Sequence, residues 1–133
     1  MARSEFLQRF EEFVGASGWR TVMSPSELVE QWREFVEICA EGFSSTIYDY
    51  TNERSVRDLL QKAFDDPVLR DYSELGQIRE AVETIDRRFA RECRAGVAMA
   101  GVEAPWWHRC VPREAVGDFA DDLRAQFGIE DGG

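Results

Sequence analysis

Between Ser24 and Gly42 the chain declares a helix at its start, along its length and at its stop. Ser24 can accept from free amides, Pro25 suits the first helical position, and Glu27 can reach back to complete a capping box. Behind them Leu28, Val29, Trp32, Phe35, Val36 and Cys39 recur every three to four positions, the period of one helix face. Gly42 is placed to end the run as a left-handed C-cap. A chain built this way must bury that stripe against others like it.

Such stripes are present nearly throughout. Phe6, Leu7, Phe10, Phe13 and Val14 form one behind a Ser4 cap, stopped by Gly15 and Gly18. Val56, Leu59, Leu60, Ala63 and Phe64 form another, which Asn52 can cap. It breaks at Asp65-Asp66-Pro67, because a proline pushes the residue before it out of the helical region. A helical turn is expected at Val68 to Asp71. Ser73 then opens a long helix with Leu75, Ile78, Val82, Ile85, Phe89 and Cys93 on one face. The last helix is expected from about Arg113 to Phe127, with Gly128 as its left-handed cap and Ile129 placed for a Schellman contact.

Two stretches break the pattern. Ser44 to Asn52 holds Thr46, Ile47, Tyr48, Tyr50 and Thr51 without a helical period, and is expected as a short extended segment or packed loop. Gly96 to Arg113 is interrupted by Gly96, Gly101, Pro105 and Pro112. The expected fold is therefore all-α: a single domain over residues 1–133, a bundle of about five helices with two packed irregular loops.

Charge and composition exclude several functions. Twenty-six acidic residues against sixteen basic give −10, which opposes a nucleic-acid partner and favours a basic protein. One basic patch exists (Arg87, Arg88, Arg91, Arg94, Arg109 and Arg113), but basic residues at the end of a helix complement its dipole. No apolar run approaches the roughly 20 residues of a membrane span. Glu5, Glu11 and Glu12 near the start do not suit a secretory leader or transit peptide. Cys39, Cys93 and Cys110 are odd in number and widely spaced, which reads as reduced thiols in a cytoplasm.

Chemistry is sparse. His108 is the only histidine. With Cys110, and Cys39 or Cys93 arriving from elsewhere, it could form a zinc set, and with Cys110 or Cys93 a nucleophile–base pair. Two core thiols and a loop histidine account for the same residues, so no metal, no cofactor and no catalytic residue is assigned. Glu30, Glu34, Glu37 and Glu41 read as the solvated side of their helix.

The distinctive cluster is Pro105-Trp106-Trp107-His108-Arg109-Cys110-Val111-Pro112. Its bounding prolines make it stiff, and in an extended segment the two indoles would point to opposite sides. One reading straps this loop over the bundle end, one indole in the core and Arg109 stacked on the other. The other makes Trp106, Trp107, His108 and Arg109 a binding surface, with Tyr48, Asp49 and Tyr50 as a second polar-aromatic group. The Pro-Trp-Trp-x-Arg-x-Val-Pro string follows a long helix containing Ile85-Asp86-Arg87-Arg88-Phe89. Together with Ile47-Tyr48-Asp49-Tyr50 and Ser55-Val56-Arg57-Asp58-Leu59-Leu60, it resembles small acidic helical bacterial proteins without assigned activity, over about residues 28–129. Such proteins are often encoded beside secreted toxins, so the resemblance implies an immunity or antitoxin role. The expected function is a non-enzymatic, acidic, cytoplasmic interaction protein that neutralises a basic effector. The alternatives are a small-molecule or enzymatic cleft near Tyr48 and Trp107, and a homodimer built on the tryptophans.

Overall fold

The computed structural model describes residues 4–19 and 21–130. It is all-helical, with five helices of substantial length: α1 (Glu5–Ala16), α2 (Pro25–Glu41), α3 (Ile47–Asp65), α4 (Ser73–Glu92) and α6 (Gly117–Phe127). A 3₁₀ turn covers Leu69–Asp71, and a single helical turn, α5 (Trp106–Arg109), interrupts the long loop after α4. Among the described residues no helix is long and apolar enough to cross a membrane.

The expected caps account for the ends of α2. Ser24 Oγ accepts from Glu27 N–H at 3.2 Å, and Glu27 Oε1 accepts from Ser24 N–H at 3.3 Å. Ser24→Ala should cost about 1 kcal/mol and lower Tm by a few degrees. An unchanged melt would mean that Pro25 alone sets the start. At the other end Gly42 has φ 128° and ψ 99°. This is a positive φ, as expected, but outside the left-handed helical well. The chain leaves extended, because Phe43 N–H donates to Glu114 O at 3.0 Å.

Ser44 to Asn52 is the main correction. Helix α3 already begins at Ile47, and Thr46, not Asn52, is its cap, accepting from Asp49 N–H at 3.1 Å. The helix was hidden because its buried face at this end is Tyr50, Arg54 and Arg57 rather than an aliphatic stripe. Asp66 lies in the extended region as its proline requires, and its side chain accepts from Val68 and Leu69 N–H. The last helix starts at Gly117 rather than Arg113. The residues before it are extended, with Arg113 N–H donating to Glu92 O and Val116 N–H to Phe43 O. Its C-terminus is the expected Schellman end: Gly128 is left-handed and Ile129 N–H donates to Leu123 O.

The core sits where α2, α3, α4 and α6 meet. Phe35 packs on Trp32, Phe43, Tyr50 and Phe89, and Tyr50 stacks on Phe119 with centroids 4.4 Å apart. Each of these rings contributes roughly 1.5–3 kcal/mol by leaving water, most of it offset by chain entropy. Trp106 borders this cluster through Phe89, at 6.0 Å.

Candidate functional site

The 105–112 segment is strapped along α3, and successive turns of that helix hold it. Tyr50 Oη donates to Cys110 O at 3.4 Å, and Arg54 Nη1 donates to His108 O at 3.4 Å. These are the carbonyls that a helix end leaves free, so α3 supplies the donors that α5 lacks. Further along, Asp58 Oδ1 accepts from Trp107 Nε1 at 2.8 Å and lies 2.6 Å from His108 Nε2. The strap is a helical turn rather than an extended run. Its tryptophans therefore meet edge to face, 5.9 Å apart, instead of pointing to opposite sides.

Beneath the strap lies a buried polar network. Arg57 makes two bonds to Asp86, at 3.0 and 2.9 Å, and one to Gln61 at 3.1 Å. Trp32 Nε1 donates to the same carboxylate at 3.0 Å. The Arg57 guanidinium also stacks on Trp107, 4.1 Å from the ring. The expected stack of Arg109 on an indole is thus made by Arg57, on the core-facing tryptophan. The Arg109 Nε is buried without a hydrogen-bond partner among the described residues. Four elements, α2 to α5, share this network, and charge paired this way inside a fold is costly to break.

The cysteine expectation is overturned. Cys93 and Cys110 form a disulfide, their Cα atoms 5.1 Å apart, and only Cys39 is free and buried. The pairing depends on the end of α4 lying antiparallel to residues 111–113, a contact that cysteine spacing does not announce. It removes both thiols from the zinc set and from a nucleophile pair with His108. Burial pushes the Cys39 thiol far up, so it too is held neutral. Among the described residues no group of three His, Cys, Asp or Glu side chains is placed to hold a metal.

The predicted contact residues divide. Tyr50 and Trp107 are buried, so neither can face a partner, because both rings are used by the core and the strap. Trp106, His108 and Arg109 are half-buried on the strap. Asp58 engages His108 through Nε2, as the orienting carboxylate of a base–orienter pair would. Tyr48 is 75% exposed. It lies ten positions before Asp58 on α3, about 15 Å along the axis, whereas Tyr50 of the same group reaches the strap at Cys110 O.

Several carboxylates stand at this end of α3. Asp49 follows Tyr48 and accepts from Ser45 Oγ, and Asp122 of α6 accepts from Ile47 N–H at 2.9 Å. Glu53 lies one turn beyond Asp49. Partial burial and then the Asp49 charge raise its pKa above the usual glutamate value. Sequence reasoning missed Arg57, Asp58 and Asp86, whose only signal was their place on otherwise apolar helix faces. No family model matches this chain, and neither a curated protein nor a solved structure matches it.

Proposed function

We propose that the protein is a non-enzymatic binding protein that captures a basic protein on the acidic face around Tyr48. The observation that carries this reading is an exposed tyrosine on the first turn of α3, at an end of the helix that also holds Asp49, Glu53 and, against the Ile47 N–H, Asp122 of α6. Tyrosine is a residue type that anchors interfaces, and carboxylates around it steer a cationic partner. The net charge of −10 acts in the same sense over longer range. The form of the role is immunity or antitoxin binding, in which a basic effector is neutralised by being covered.

Glu53 fits a surface kept for binding at some cost to the fold. Its folded pKa stands above its unfolded value, so its charged form opposes folding at neutral pH. That opposition fades as pH falls through the raised pKa. Glu53→Gln should therefore melt slightly higher than wild type at pH 7, with the gain gone near pH 4, while weakening partner capture.

The test is affinity capture from native lysate, washed at low and high salt, with wild type, Tyr48→Ala and Glu53→Lys in parallel. Wild type should retain a basic protein that high salt releases. Both variants should lose it without a drop in Tm, since exposed substitutions shift stability by about 0.5 kcal/mol or less. Equal capture by all three proteins would overturn the reading.

A further inference from the structure

Arg94 and Arg113 stand on two short extended segments that run antiparallel where the end of α4 meets the end of the strap. Cys93 and Pro112 face each other there. Arg94 N–H donates to Val111 O, and Arg113 N–H to Glu92 O, both at 2.8 Å. Side chains alternate along extended chain, so residues 94 and 113, each one step from the facing pair, leave on the same side, opposite Cys93 and Pro112. The disulfide next to Arg94 locks this arrangement.

Both arginines line a groove of about 920 Å³, with Val97 and Phe127 on its apolar wall. These two are large apolar side chains that the fold leaves exposed, at 38% and 42%. Arg94 is held by carbonyls alone, its Nε donating to Pro112 O at 3.1 Å and its Nη1 to Glu130 O at 2.6 Å. Among the described residues neither arginine has a carboxylate partner. Glu114 and Glu130 are the acidic residues among those lining the groove.

We propose that this groove binds a short apolar peptide as a zwitterion. The peptide carboxylate meets Arg113 and the open edge of Arg94, its ammonium turns to Glu114 and Glu130, and its side chains lie on Val97 and Phe127. Inorganic phosphate would use the arginines and leave the apolar wall wet. A fatty acid would use the wall but bring its tail against two carboxylates. A peptide with free ends matches all three parts, and the volume suits a ligand of a few residues. Arg94, already positioned by two carbonyls, loses little freedom on binding.

Calorimetric titration with the free tetrapeptide Ala-Val-Leu-Phe tests this, against its C-terminal amide, its N-acetyl form and octanoate. The free peptide should bind, and the amide about tenfold or more weakly, the value of a charge-assisted bond. N-acetylation should weaken binding by a smaller factor. Arg113→Gln should bind peptide and amide alike at the weaker level with an unchanged melt, because its backbone bond to Glu92 remains. No heat from the free peptide at millimolar concentration would overturn the proposal. So would equal binding of peptide and amide by the wild type, or octanoate binding as tightly as the peptide.

Discussion

Asp86→Ala should destabilise the protein by about 3–5 kcal/mol, a loss on the order of 10–20 °C in Tm. The substitution leaves the Arg57 guanidinium, 5% exposed, with Gln61 as its remaining side-chain hydrogen-bond partner, and it strips the acceptor from the Trp32 indole. A buried charge without its counter-ion keeps its desolvation cost and loses what offset it. The penalty therefore exceeds the net worth of the intact pair. Replacing both members, Arg57→Met with Asp86→Leu, should recover more than half of the loss, because the cost lies in the orphaned charge rather than in the missing bond. Equilibrium urea unfolding of the three proteins reads both effects. A single-mutant loss below about 1 kcal/mol would show that water reaches Arg57 and that the network does not hold the helices together.

Opening the Cys93–Cys110 bond should cost about 3 kcal/mol. The two residues are 17 apart, and closing a loop of that length removes about this much entropy from the unfolded chain. Thermal melts of the wild type with reductant and of Cys110→Ser without it should agree with each other and fall below that of the oxidised wild type. Alkylation of the denatured protein should find one thiol before reduction and three after. A melt insensitive to reductant, with three thiols labelled, would mean that the ladder at Arg94 and Arg113 suffices without the bond. The reduced protein should still fold, since Tyr50, Arg54 and Asp58 grip the strap independently of the sulfurs.

What could be read in advance divides along a physical line. Helices with apolar stripes, as in α1, α2 and α4, were legible because burial of apolar side chains at a 3.6-residue period leaves a direct trace. The local stops were legible as well. Asp66 before Pro67 and Gly128 before Ile129 act through backbone geometry alone. The first turns of α3 were not, because Tyr50, Arg54, Arg57 and Asp58 look like a polar face although the strap covers much of it. Arg57 and Asp86 are 29 positions apart, and neither signals a partner. The proline-bounded loop was visible as stiff, but its prolines restrict Ala104 and Val111, and the residues between were free to form a turn. The exposure of Tyr48 followed from the helix that sequence reading had missed. The acidic setting around it depends on α6 arriving beside α3.

The disulfide and the strap together give this small domain a closed ring of covalent chain. Residues 94 to 109 run out from Cys93 and back to Cys110, and their outer part, Ala95 to Ala98 and Gly101 to Glu103, is exposed. A break anywhere on that arc leaves both halves tethered through sulfur. The tip is held to the body by few bonds, among them Met99 N–H to Arg109 O. New chain could be spliced in at Gly101 to Glu103, off the groove lining, with the helices on either side still joined, which makes that stretch the natural place to hang a label or a second module.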